Sequence, residues 1–262
     1  MADNVIGFIL INFQLFLLIL TRLTGLFVIS PIFSRANVPM TMKIGLAVTL
    51  SLILLPLSIH NVNLDINNIR ALIFFSTTEF LIGIIIGFIS FIYFSVVYLA
   101  GTVIDIQMGF GMVNIMDPQT NAQMPIMSGL YSILISLVFL TVNGHHMLIQ
   151  SIIHSYEVLP IGFQISINQN IITHLTHMLL ETFALSLQLS APILISIFLV
   201  NVILGILART MPQMNIFMVG MPLKIFIGII IVFLSLSFFI SYSEVVFDKM
   251  FRAIYEFMKI LS

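Results

Sequence analysis

The chain contains no cysteine, which excludes a disulfide framework and any thiolate metal or redox site. Charge is nearly as scarce. Only 7% of the 262 residues are Asp, Glu, Lys or Arg, where a soluble domain carries roughly a quarter. The net charge is -1 and like charges form no run, so the chain has neither an electrostatic footprint for nucleic acid nor a polybasic arm for anionic lipid. Catalytic signatures are missing as well. There is no GxSxG, no HExxH, and no GxxxxGK followed by Ser or Thr. The nucleophile, zinc ligands and phosphate cradle of the commonest hydrolases and ATPases are therefore absent. The expectation is a protein that is not an enzyme, with no catalytic residue, metal or cofactor. The opening stretch MADNVIGFILINFQLFLLIL has no basic n-region, and its apolar run is too long for the h-region of a cleavable signal, so it reads as a retained first helix.

What the chain has is apolar surface: 60% hydrophobic residues and a mean hydropathy of +1.19. The fold class this implies is all-α, an integral membrane protein of about six apolar helical segments arranged as hairpins. The stretches run over residues 5–33, 44–59, 71–100, 126–153, 178–208 and 216–243, against the ~20 residues needed to span a bilayer. The second is short enough to be half of a hairpin or a re-entrant segment, and the third is too long unless tilted. Eight prolines sit at or near the ends of these runs. Only Pro192 lies well inside one, where a kink is expected and the hydroxyls of Ser190 or Ser196 could satisfy the freed carbonyl. Basic residues in the loops give no orientation under six-span alternation. Arg35, Lys43, Arg209 and Lys224 fall on one side, and Arg70, Lys249, Arg252 and Lys259 on the other. No repeat or linker interrupts residues 1–262, which read as a single domain.

Polar groups inside apolar runs carry the next inference. A carboxylate at the bilayer centre costs roughly 2.5 kcal/mol or more, so such groups face protein or water rather than lipid. Arg22, Glu79, Asp105, Glu181, Gln188 and Asn201 are the candidates for these intramembrane polar contacts. Interhelical hydrogen bonding is the preferred reading, with a proton relay as the alternative. His174, His177 and Glu181 fall at i, i+3 and i+7, a metal-ligand spacing if the helix reaches back that far, although polar residues at a helix mouth are the commoner explanation and the preferred reading. Adjacent His145 and His146 point about 100° apart on a helix and could scarcely share a metal. Gly83 and Gly87 make a GIIIG stretch that would let two helices approach closely, or is chance. In the tail SEVVFDKMFRAIYEFMKILS, Val246, Met250, Ile254 and Phe257 share one face, as in an amphipathic helix for a membrane surface or a partner.

The segment DIQMGFGMVNIMDPQTNAQMP, residues 105–125, separates two apolar runs. Met108, Met112 and Met116 would share a helical face, interleaved with Gly109, Phe110 and Gly111. Asp117 and Pro118 favour a turn, and Gln119, Thr120, Asn121 and Gln123 add amides and a hydroxyl without charge. Methionine is flexible and unspecific in its contacts, which suits a surface that closes on itself and yields around varied cargo. An ordinary interhelical loop is the plainer reading. A secondary transporter or channel with a broken central helix is the rival class, but it calls for internal repeats, and none is visible.

The runs VPMTMKIGLAVTLSLILLP, GTVIDIQMGFGMVNIMDPQTNAQMP, NGHHMLIQSIIHSYEVLPIG and ARTMPQMNIFMVGMPLK, at residues 38–56, 101–125, 143–162 and 208–224, resemble the FliR family. These are flagellar type III export-gate proteins, related to the SctT proteins of injectisomes. The resemblance covers essentially the whole chain in order. It implies a FliP-like part over residues 1–160, then a FliQ-like helix pair and the C-terminal amphipathic helix over 161–262. It also implies a core gate subunit assembled with FliP and FliQ into a closed helical pore for unfolded flagellar proteins, neighbouring FlhB and FlhA. The expected place is the bacterial inner membrane, within the flagellar basal body. By resemblance, the 106–124 segment is a pore plug that includes Met108, Gly109, Phe110, Gly111, Met112, Met116, Asp117, Gln119, Asn121 and Gln123. The family's energy comes from the proton motive force and a separate ATPase, in keeping with the missing P-loop. In ARTMPQMNIFMVGMPLK, Pro212, Gly220 and Pro222 are expected to break the helix, with Arg209 and Lys224 holding the bend at a polar boundary or entrance.

Overall fold

The computed structural model describes residues 2–35, 38–58, 69–110, 125–163, 169–213 and 215–262. Among the described residues there are eight helices and no strand: α1 (Ala2–Ile29), α2 (Met40–Ser58), α3 (Ile69–Met108), α4 (Ile126–Thr141), α5 (Gly144–Val158), α6 (Gln169–Thr210), α7 (Ile216–Leu234) and α8 (Leu236–Leu261). The chain is an integral membrane helical protein. Helices α1, α3 and α6 are long and apolar enough to cross a bilayer, and the number of crossings reaches five if the broken pairs α4–α5 and α7–α8 each count as one. Among the described residues, six-span alternation therefore counts at least one crossing too many, because α2 is too short to qualify.

Two of the six apolar stretches divide. The stretch 126–153 breaks at Asn143, which takes the left-handed conformation at φ 57° and is followed by Gly144. Asparagine tolerates that region better than other side chains, and Asn-Gly is itself a turn signal. The stretch 216–243 breaks at Ser235 with a bend of 62°. The fifth stretch is longer than hydropathy suggested, since α6 begins at Gln169.

Prolines interrupt less than expected. Helix α6 continues through Pro192. Ser190 Oγ donates to Leu187 O and Ser196 Oγ to Pro192 O, so neither reaches the Gln188 carbonyl that the proline leaves without an amide. The 208–224 bend is also narrower. Helix α7 starts at Ile216 and runs through Gly220 and Pro222, so only residues 211–215, Pro212 among them, separate it from the end of α6 at Thr210. Arg209 is exposed in the last turn of α6, whereas Lys224 is half-buried more than two turns into α7.

Two compact units are present: residues 1–93, 143–178 and 248–262 form one, and residues 94–142 and 179–247 the other. In the first, α1 buries Leu15, Leu18, Ile19, Leu23 and Leu26 along one stripe, the spacing of a helix face. Gly83 and Gly87 are close-packing residues. A Cβ on Gly83 would run into Arg22 O, and one on Gly87 would come within 3.1 Å of Leu26 O. Gly25 answers from α1, against Phe80 O. The tail differs from expectation. Within this unit Met250, Ile254 and Phe257 of α8 are buried by the protein's own side chains, with Phe257 beside the His174 ring at 5.8 Å. That face is therefore not free for a membrane surface or a partner. In the second unit Phe94, Phe139 and Phe247 form an aromatic cluster with centroids 5.0–5.8 Å apart.

Candidate functional site at the feet of the 109 to 125 segment

Helix α3 ends by a Schellman motif. Gly109 adopts φ 88°, Phe110 N–H donates to Asp105 O at 3.0 Å, and Gly109 N–H donates to Ile106 O at 3.3 Å. Glycine at this position takes the left-handed conformation without a Cβ penalty. Gly111, Met112, Met116, Asp117, Gln119, Asn121 and Gln123 lie outside the described residues. The chain is described again at Pro125, which precedes α4 without contributing a side-chain cap.

The cap comes from across the gap. The buried Asp105 carboxylate accepts from Met127 N–H at 3.1 Å and from Ser128 N–H at 3.4 Å. A carboxylate at a helix N-terminus satisfies orphan amides and complements the helix dipole. One residue thus closes both ends of the segment: its backbone carbonyl terminates α3, and its side chain starts α4. The feet are packed as well as bonded. Ser128 Oγ donates to Tyr98 O at 2.9 Å and lies 3.1 Å from Thr102 Oγ1. A Cβ on Gly101 would collide with the Ser128 backbone.

Met108 is fully buried, and a Cβ on Gly228 of α7 would lie 2.5 Å from its Cε and 2.8 Å from its Sδ. The glycine is a notch that receives the methionine. Gly109 faces Met221 of the same helix, and Phe110 is half-buried. Of the ten residues assigned to the segment by resemblance, the described three are thus its rooted end.

The other polar candidates fall into separate places. Arg22 and Glu79 form a buried ion pair, Nε to Oε2 at 2.6 Å. The same guanidinium donates to Ser155 Oγ at 2.8 Å and to Leu159 O at 3.0 Å, with Cζ 3.8 Å above the Tyr156 ring. Sequence reasoning flagged the two charges but missed Ser155, Tyr156 and Leu159. A serine and a tyrosine in SIIHSYEVLP carry no signal of what they face. Gln188 Oε1 lies 2.8 Å from the Tyr242 hydroxyl, which is also 3.2 Å from Leu185 O. Glu181 and Asn201 are half-buried on α6. Although α6 does reach back to include His174 and His177, the described residues contain no group of three His, Cys, Asp or Glu able to hold a metal ion.

Comparison with known proteins accounts for most of the chain. The family of bacterial export proteins, family 1, matches residues 13–250. The flagellar biosynthetic protein FliR of Bacillus subtilis is 35% identical over 227 residues, covering 86% of this chain and 87% of the relative. FliR of Escherichia coli is 31% identical, with 89% and 88% covered, and FliR of Aquifex aeolicus 30% identical, with 79% of each covered. With the match running from within the first helix, past Asp105 and into the last helix, the chain belongs to the bacterial export proteins, family 1, the FliR family.

Proposed function

We propose that this chain is a core subunit of the flagellar type III protein export gate in the bacterial inner membrane, part of the flagellar basal body. In this reading it assembles with FliP-type and FliQ-type subunits into a closed pore for unfolded flagellar proteins, beside FlhA and FlhB. Residues 1–160 correspond to a FliP-like part and 161–262 to a FliQ-like pair. The chain contributes no catalytic step, since its relatives are named as biosynthetic and export proteins.

The observation that carries the reading is the double use of Asp105. A stopper must yield to cargo and return to the same place, so its two ends have to be fixed while its middle is not. Asp105 fixes both ends through the α3 terminus and the α4 amides. Met108 in the Gly228 notch adds a third anchor on α7. The amides and methionines that the sequence places between 111 and 124 are the groups this reading assigns to the constriction.

The test is Asp105→Ala in the assembled gate. Hydrogen bonds to a charged acceptor are worth about 1.5–3 kcal/mol each, so loss of the carboxylate loosens the feet while the helices remain. Cells carrying this variant should admit small ions or dyes that the wild type excludes, with the complex still recovered intact. Asp105→Asn keeps an acceptor and should leak less. Met112→Ala with Met116→Ala should leak without any effect on assembly. Wild-type permeability and export in all three variants would refute the stopper and leave the segment an ordinary connection.

A further inference from the structure

We propose that the groove between the end of α1 and the start of α2 binds one anionic phospholipid, with an acyl chain in the groove and the headgroup phosphate on the Lys43 ammonium. The cavity there has a volume of about 260 Å³, with Phe27, Val28, Met40, Ile44 and Ala47 among its walls. Among the described residues, Lys43 is its one charged lining residue, and no carboxylate lines it. The ammonium is held at the mouth by donating to Arg35 O at 2.9 Å. A lysine has three N–H donors, so two remain for an incoming anion. Helix α1 is long and apolar enough to cross a bilayer and Lys43 lies in the first turn of α2, and a lysine beside apolar surface extends its ammonium toward a polar boundary.

An apolar floor with a cation at its rim matches an amphiphile of opposite charge. Val28 and Ser34 also border a second cavity of about 510 Å³, lined by Ile29, Pro31, Phe88 and Phe91 and, among the described residues, free of charge. Two chains of one lipid therefore have neighbouring seats on either side of this ridge. Val28, Met40 and Ile44 are more than half exposed, so the groove opens sideways to lipid. A protein segment would have to bring its own anion to the same spot. The groove shares no residue with the 109–125 segment, so its test does not depend on the stopper.

The absence of tryptophan makes a clean test. Ile44→Trp places a single fluorophore in the groove, and Phe183→Trp places one on an exposed apolar position of α6. Each full-length variant is reconstituted in vesicles of brominated phosphatidylglycerol or brominated phosphatidylcholine, after circular dichroism confirms wild-type helicity. Quenching of the groove indole in Ile44→Trp should favour the anionic lipid about fivefold, the preference expected of one basic residue at a membrane surface. Phe183→Trp should show no preference. Adding Lys43→Gln to the groove variant should abolish the selectivity, and Lys43→Arg should keep it. Equal quenching of the groove indole by both lipids, or selectivity that survives Lys43→Gln, would overturn the proposal. So would a groove indole that neither lipid quenches while the α6 indole of Phe183→Trp is quenched, since the groove would then be closed by protein.

Discussion

At the scale of single residues, Arg22 does what no other side chain could do in its place. It meets the Glu79 carboxylate, the Ser155 hydroxyl and the Leu159 carbonyl through three different nitrogens, and it lies flat on the Tyr156 ring. A planar fork with five donors allows this, whereas a lysine ammonium has neither the plane nor the reach. The pair ties α1 to α3 and both to α5, in a place where each charge is sealed from water. Removing one partner from a buried pair costs about 3–5 kcal/mol, because the other charge is left uncompensated. Glu79→Leu should therefore unfold at a markedly lower temperature in detergent. Arg22→Lys should be nearly as damaging although charge is conserved. The double variant Arg22→Met with Glu79→Leu should be more stable than the sum of its single changes implies, since no charge is stranded. Strict additivity in that thermal-unfolding cycle would mean that the two residues do not act as a pair. Three buried serine hydroxyls are satisfied within their own helices. Ser51, Ser90 and Ser243 each donate to the carbonyl four residues back and ask nothing of a neighbour.

At the scale of elements, the contact of α1 with α3 is set by glycines rather than by large side chains. A methyl group on Gly83 would have to displace the α1 backbone at Arg22, and one on Gly25 the α3 backbone at Phe80. Backbone cannot give way as a flexible side chain can. Gly83→Ala should separate the helices and weaken the Arg22–Glu79 contact beside it, with a loss of about 1–3 kcal/mol on the scale of overpacked cores. Gly129→Ala in α4, where nothing lies within 4 Å, should be neutral or gain up to ~1 kcal/mol from helix propensity. Matching thermal shifts in the two variants would contradict the close packing. This contrast marks what could be read from the chain alone. GIIIG was visible as a spacing, but its meaning depended on Gly25, 58 residues before Gly83, which has no glycine four residues away to announce it. The helical class and the approximate spans follow from hydropathy, which is additive along the chain. The break at Asn143 had a local signal in Asn-Gly. The break at Ser235 had none, and neither did the continuity of α7 through Pro222, because tertiary packing decides whether a proline ends a helix; Pro192, already read as lying inside one run, is indeed within α6. For the candidate site, Gly109 was noted only as interleaved among methionines, and its role in stopping α3 became visible from the structure. The use of Asp105 to cap α4 was not, since capping across a gap leaves no spacing rule.

At the scale of the whole molecule, helix length decides what must surround the chain. Helices α3 and α6 contain 40 and 42 residues, about 60 Å each at 1.5 Å per residue, against a hydrocarbon layer of about 30 Å. Exposed apolar side chains on α6 extend from Ile172 through Leu180, Phe183, Leu187 and Phe198 to Ile206. That separation of 34 residues corresponds to about 51 Å. Lipid could cover it only at a tilt of about 54°, beyond the range of up to ~40° found in membrane helices. The assembly proposed above would cover part of this apolar surface with protein, which the following experiment tests. The lack of native cysteine allows single-cysteine mapping. Ile172→Cys, Leu187→Cys and Ile206→Cys, each made alone, should behave differently in the isolated chain and in membranes where FliP-type and FliQ-type subunits are co-expressed. In the isolated chain at least one of the two end positions should react with a water-soluble maleimide, and the protein should be prone to aggregation. In the assembly the end positions should become protected by tenfold or more, and the complex should run as one discrete species. Leu187, midway along the stripe, should change least if lipid covers it in both states. Maleimide rates at Ile172→Cys and Ile206→Cys that are the same with and without the companion subunits would mean that no protein covers the ends of this stripe, and that α6 reaches its apolar environment by bending or by thickening the bilayer instead.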